Sequence, residues 1–301
     1  MGAFILLKGH PMNRRDLLKG ALTGAFALSL RPGFAWGVSV DQAAAQLAAL
    51  ERKHGGRLGV SMLDTQTGRR LQHRAGERFL MCSTFKWLAA AAVLARVDRG
   101  TERLDRHVVF GKDVLLDYAP VASKHVGEPG MSVGELCAAA VTLSDNTAAN
   151  LLLASLGGPT AITAFARSQG DETTRLDRME PELNLGSPGD IRDTTTPDAM
   201  LADLHHVLLG DCLSTGSRDL LLQWLRGCTT GLDAIRAGLP EDWTAGDKTG
   251  SGSHGETNDV AIAWPPRRKP LLVTAYYAGS HAEPAERKAV LAAVGRIAAS
   301  I

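Results

Sequence analysis

The chain has 301 residues, 45% of them hydrophobic, enough to bury a sizeable core in one large domain or two lobes. A formal charge of +1 gives neither the basic face that nucleic acid requires nor an acidic tail. With aromatic residues at 5%, a base-stacking platform is excluded as well.

The first recognisable segment is "MNRRDLLKGALTGAFALSLRPGFA", with paired Arg14 and Arg15, an apolar run from Gly20 to Leu30 and a small-residue end at Gly33 to Ala35. The run is about a dozen residues, short of the roughly 20 needed to span a bilayer. It predicts a cleaved export signal over residues 1–35, of the twin-arginine type, with Met12 a second candidate start and a mature protein beginning near Trp36. The expected location is therefore periplasmic or secreted, with no stable membrane insertion once the signal is removed.

Next, "VDQAAAQLAALERKHGG" predicts an amphipathic helix closed by Gly55 and Gly56. "RLGVSMLDTQTGRRLQHRAGE" contains two alternating runs joined by Thr-Gln-Thr-Gly, a β-hairpin pattern. From Phe79 to Gly238 the chain is helix-rich. "SVGELCAAAVTL" opens on a Ser132–Glu135 capping box, "TAANLLLASLGG" closes at Gly157 and Gly158, and "TPDAMLADLHHVLLG" has Thr196 at the cap and Pro197 in the first turn. Three strand patterns follow, in "DWTAGDKTGSG", "NDVAIAWPP" and "KPLLVTAYYAG", and then a last helix from about Glu283 to Ala299. Strands at both ends with helices between them predict a sheet assembled from the two distant halves of the chain. The α/β lobe would comprise residues 37–78 and 239–301, with an all-helical lobe over 79–238 inserted into it. The groove between two lobes is where a ligand site is expected.

The four cysteines, Cys82, Cys137, Cys212 and Cys228, have no CxxC pattern and no zinc-ligand spacing. Cys82 and Cys137 lie in apolar helical patterns and read as free buried thiols. Spacing leaves open whether Cys212 and Cys228 pair. The histidines form no ligand set.

Chemistry enters at "MCSTFKWLAAAAVLARVDRG", where Ser83 and Lys86 stand at the head of an apolar helix. A first turn prefers acidic residues, because the N-terminal end of the helix dipole is positive. Residues three apart share a helix face, so hydroxyl and amine can touch. Desolvation favours the neutral, proton-accepting amine, and the unpaired N–H groups of the helix start suit a developing oxyanion. Ser-x-x-Lys alone is a weak signal, equally readable as a capping serine beside a snorkelling lysine. "SDN" (Ser144, Asp145, Asn146) in a break between helices and "KTGS" (Lys248, Thr249, Gly250, Ser251) on a strand pattern complete a set of three motifs in order.

With "DYAPVASKHV", "TTPDAM" and "NDVAIAWP" around them, these motifs make the chain resemble a class A β-lactamase over nearly all of its mature length. "RMEPELN" places Glu180 and Asn184 in a loop of Ω size from Arg178 to Asp193, two residues that match an ion pair closing this loop in the family. The resemblance implies an α/β fold (an α+β sandwich) with a mainly antiparallel five-stranded sheet flanked by helices, and hydrolysis of penicillins and cephalosporins through an acyl-enzyme on Ser83, in an antibiotic-resistance protein. Ser83 and Ser251 would supply oxyanion N–H groups. Lys86, or Glu180 through a water, would take the Ser83 proton. Ser144, fed by Lys248, would protonate the leaving nitrogen, and Glu180 with Asn184 would hold the deacylating water. Asn146, Tyr118, Thr249, Gly250, Ser251, Thr257 and Lys288 match substrate-binding positions. Thr257 stands where some members carry a carboxylate-binding arginine, and Lys288 matches an arginine of certain extended-spectrum members.

The partners of two family disulfides are Ala90 and Gly252 here, so neither can form with Cys137 or Cys82, and a carbapenem specialist becomes less expected. The resemblance implies a β-lactam as the small-molecule partner, no metal or organic cofactor, and a monomer. The rival readings are a penicillin-binding D,D-peptidase, which generally lacks the glutamate–asparagine arrangement, and a β-lactam sensor domain.

Overall fold

The computed structural model describes residues 1–2, 38–187 and 189–301. Apart from its first two residues, the expected export signal lies outside the described residues. In chain order the elements are α1 (Val40–His54), β1 (Arg57–Asp64), β2 (Arg70–His73), β3 (Phe79–Leu80), a 3₁₀ turn (Cys82–Thr84) and α2 (Phe85–Asp98). The middle of the chain gives β4 (His107–Val108), β5 (Met131–Ser132), α3 (Val133–Thr142), α4 (Asn146–Leu156), α5 (Thr160–Ser168), β6 (Thr194–Thr195), α6 (Pro197–Leu209) and α7 (Thr215–Arg226). The last part gives β7 (Thr244–Ser251), β8 (Thr257–Trp264), β9 (Leu271–Ala278) and α8 (Pro284–Ala298).

Five strands form one antiparallel sheet in the order β2-β1-β9-β8-β7, as the resemblance implied. The β1–β9 pairing, Arg57 opposite Ala278 through Asp64 opposite Leu271, joins the two ends of the described domain. The expected caps are in place: Ser132 and Glu135 form a reciprocal box, Thr196 accepts from the N–H of Ala199, and Gly157 closes α4 in the left-handed conformation.

One local expectation changes. The half-buried alternation read into β1 is absent, since seven of its eight residues are buried. The reason is cover on both faces. Leu58, Val60 and Met62 belong to a cluster with α1 and α8, whereas Leu63 joins the larger cluster built around α2. Ser61 on that second side donates to Asp198 of α6 at 2.6 Å, which explains how a polar residue is tolerated there. The four cysteines are all free, so Cys212 and Cys228 do not pair.

α2 is buried continuously from Phe85 to Ala95, with α3, α4, α5 and α7 against it. Its alanine-rich sequence has high helix propensity and lets the neighbouring helices approach closely. A helix apolar all round can only be central, and this one carries the 3₁₀ turn with Ser83 to the edge of β7.

α8 approaches the 235–238 segment through Gly295, where an ideal Cβ would lie 2.2 Å from the carbonyl oxygen of Ile235. Backbone cannot yield as a flexible side chain does. Gly295→Ala is therefore expected to lower stability by about 1–3 kcal/mol, read as a reduced urea midpoint at unchanged m-value.

Candidate active site

β7 lies directly against the 3₁₀ turn. An ideal Cβ on Gly250 would be 2.7 Å from the Met81 carbonyl oxygen and 3.2 Å from the Ser83 nitrogen, so glycine lets the strand pass beside Ser83. Cys82, just before Ser83, has φ +46°, and Ser144 in the α3–α4 break has φ +59°. Both are left-handed conformations unusual for a side-chain-bearing residue, and such strain clusters at functional sites. Asp145 caps α4 through the N–H of Ala148 at 2.8 Å, and its other oxygen takes the N–H groups of Val121 and Ala122 at 2.9 Å each. The SDN corner is thereby locked to the loop that carries Tyr118, whose carbonyl accepts from the Asn146 N–H at 3.0 Å.

The loop with Glu180 is closed at its base by an ion pair between Arg178 and Asp193, as the resemblance implied. Asp193 is fully buried and also accepts the N–H groups of Asp177 and Arg178, at 2.7 and 3.0 Å. Asn150 of α4 grips the backbone of Glu180 from both sides, accepting from its N–H at 2.9 Å and donating to its carbonyl at 2.8 Å.

Three polar groups meet around the Glu180 carboxylate. Ser83 Oγ donates to Oε1 at 3.1 Å, Lys86 Nζ lies 3.0 Å from the same oxygen, and Asn184 Nδ2 donates to Oε2 at 2.7 Å. Lys86 also donates to the Ser144 carbonyl at 2.8 Å and to Asn146 Oδ1, and it approaches Ser144 Oγ at 3.4 Å. Among the described residues no hydrogen bond links Ser83 to Lys86 directly; both turn to the carboxylate between them. Lys248 donates to Ser144 Oγ at 3.0 Å and to its neighbour's carbonyl, that of Thr249, at 2.7 Å. Both lysines are fully buried. Burial, opposed by Glu180 and assisted by the Lys248 charge, brings Lys86 down to about 8. Burial likewise lowers Lys248, against the nearby Cys228 and the carboxylates of Asp247 and Asp259.

Above these groups is a cavity of about 300 Å³ lined by Ser83, Tyr118, Ser144, Asn146, Glu180, Asn184, Thr249, Gly250, Ser251, Thr257 and Lys288. The sequence-predicted residues thus converge, with Lys86 and Lys248 forming the floor. Lys288 borders the cavity, its ammonium bonded to Asp233 at 2.9 Å. Such a site can activate a hydroxyl, accept its proton on a carboxylate and deliver another through Ser144. It defines a serine enzyme of the acyl-transfer class.

Residues 42–301 match the profile of the Beta-lactamase enzyme family. The chain is similar to β-lactamase Toho-1 of Escherichia coli, 48% identical over 284 residues that cover 94% of this chain and 96% of the relative. It is similar to β-lactamase OXY-2 of Klebsiella oxytoca, 46% identical with 92% and 94% covered. The solved structure of the ancestral (GNCA) class A β-lactamase superposes with a TM-score of 0.84 at 62% identity, covering 85% of this chain and 98% of that one. The chain belongs to the class A β-lactamases.

Three supporting residues were missed in the sequence reading. Asn150 stands four residues after Asn146 on the same helix, a spacing that places both on one face. Thr230 brings its hydroxyl to that of Thr249 at 2.5 Å, and Arg287 donates to Thr257 Oγ1 at 3.0 Å. Neither has a local sequence signal. Because Asp193 is fully buried, removing its partner leaves a charge uncompensated. Arg178→Ala should cost about 3 kcal/mol in chemical denaturation and slow turnover of a chromogenic cephalosporin by freeing the Glu180 loop.

Proposed function

We propose that the chain opens the β-lactam amide of penicillins and cephalosporins through an ester on Ser83. The observation that carries this reading is the single carboxylate of Glu180 shared by Ser83, Lys86 and Asn184. Ser83 Oγ attacks the lactam carbonyl as its proton passes to Glu180, the acceptor it already faces. With Lys86 near 8, its ammonium is predominantly charged at neutral pH and steadies the carboxylate instead of competing for the proton. The oxyanion is received by the backbone N–H groups of Ser83 and Ser251. Such preorganised donors are worth about 10²–10³ in rate each.

Collapse of the tetrahedral intermediate breaks the ring C–N bond, and Ser144 gives its proton to the departing nitrogen while Lys248 replenishes it across 3.0 Å. The proton that Glu180 took from Ser83 then passes by way of Lys86 and Ser144 to Lys248, which restores both the ammonium and the Glu180 carboxylate. Asn146, Tyr118, Thr249, Gly250, Ser251 and Thr257 hold the drug, with the hydroxyls facing its carboxylate. For deacylation, Glu180 takes a proton from a water that also donates to Asn184 Oδ1, an oxygen with no protein partner among the described residues. The hydroxide adds to the ester, the bond to Ser83 Oγ breaks, and Ser83 recovers its proton. A D,D-peptidase or a sensor that acylates once has no use for so firmly held a glutamate, which supports the lactamase reading over both.

The site draws every group from one chain, which suits a monomer. The near-zero charge leaves nucleic acid without a docking face. Among the described residues no single helix is long and apolar enough to cross a membrane. Export by the twin-arginine route follows from Arg14, Arg15 and the apolar run behind them, and antibiotic resistance is the consequence of a hydrolase placed where the drugs enter. The two-lobe division, residues 37–78 with 239–301 against 79–238, puts this site in the groove between them.

Glu180→Ala should slow acylation yet leave it measurable, because Lys86, shifted toward its neutral form once Glu180 is gone, remains beside Ser83 to take the proton. It should slow deacylation by about 10²–10⁴-fold. Mass spectrometry after mixing with a penicillin should then find one equivalent of drug on Ser83. Rapid turnover by that variant, with no adduct, would refute the role given to Glu180.

A further inference from the structure

The cavity wall of Thr249, Ser251 and Thr257 offers hydroxyls, and the cation at its rim is Lys288 on α8. Other nearby cations are committed elsewhere. Lys248 is buried beneath Ser144 and the Thr249 carbonyl, and Arg287 donates to Thr257 Oγ1 and to the Ala282 carbonyl. Lys288 is itself bonded to Asp233 at 2.9 Å, yet both side chains are solvent-accessible, 31% and 62%.

Asp233 cannot drift far from this position. Three residues before it, Thr230 touches the Thr249 hydroxyl; immediately after it, Ala234 lines the cavity; and the Ile235 N–H donates to Asp259 at 3.0 Å. A carboxylate of the protein is therefore fixed beside the cavity, on the ammonium that an anionic ligand would use.

We propose that Asp233 is a specificity-determining positioning residue, which tethers Lys288 at the rim so that a substrate carboxylate must compete with it. This inference rests on the β-lactam reading of the site. An exposed ion pair is weak and salt-screened, so a carboxylate arriving among hydroxyls in a partly dry cavity can take the ammonium over. The competition raises KM for anionic drugs, because it acts on the bound ground state and transition state alike.

The test compares the full-length parent with Asp233→Asn on benzylpenicillin and on its neutral methyl ester, in the native and the Lys288→Gln backgrounds. Freed from Asp233, Lys288 should lower KM for benzylpenicillin by about two- to five-fold, the factor an exposed pair's strength converts to. The fall should be carried by KM rather than kcat, vanish with the ester, vanish in Lys288→Gln, and shrink in high salt. An unchanged KM, or a fall that persists with the ester or without Lys288, would overturn the inference. A parent protein that turns over no β-lactam would overturn the underlying reading instead, and this inference with it.

Discussion

A lysine and a glutamate, both withdrawn from water, face each other at 3.0 Å between the central helix and a surface loop. Neither charge is tolerable there alone, because removing one member of a buried pair leaves the other uncompensated at a cost of about 3–5 kcal/mol. The pair therefore obliges α2 and the loop to stay in contact. The means are visible: Arg178 and Asp193 close the loop's base, and Asn150 holds the Glu180 backbone from α4. The same constraint reaches Ser83, since the carboxylate that answers Lys86 is also the one its hydroxyl meets.

The rest of the site is arranged by strain and close approach. Cys82 and Ser144 adopt left-handed backbone conformations that cost of order 1–3 kcal/mol each, sustained by the buried helices around them. Ser144 is turned between the Nζ atoms of Lys86 and Lys248, 3.4 and 3.0 Å away, the geometry on which the proposed relay rests. Gly250 allows β7 to pass so near Ser83 that strand and 3₁₀ turn share one surface. The antiparallel sheet that carries β7 is in turn closed by pairing the first strand with the last, so the site depends on contacts from both ends of the described domain.

Features settled within a few residues were legible in the sequence. The capping box at Ser132 and Glu135, the Thr196–Pro197 start and the glycine stop at Gly157 are local hydrogen-bond problems with local solutions. The catalytic motifs were legible as a set, through a family resemblance rather than through spacing, since Ser83 and Glu180 are 97 residues apart. What escaped the sequence was decided by tertiary packing. β1 lost its expected alternation because helices cover both sheet faces. The Lys288–Asp233 pair joins residues 55 apart, and the Thr230–Thr249 contact joins residues 19 apart. The direct Ser83–Lys86 contact suggested by helical spacing gave way to a shared carboxylate, which no periodicity reveals.

The central claim is a charged Lys86 held against Glu180, and lysine-selective ¹⁵N NMR of Nζ tests it most directly. Burial lowers Lys86 and Glu180 opposes that shift, so the resonance should be that of an ammonium at pH 6.5 and titrate near pH 8. Glu180→Gln should move the midpoint lower. A neutral amine at pH 6.5, or a midpoint unmoved by Glu180→Gln, would contradict the account.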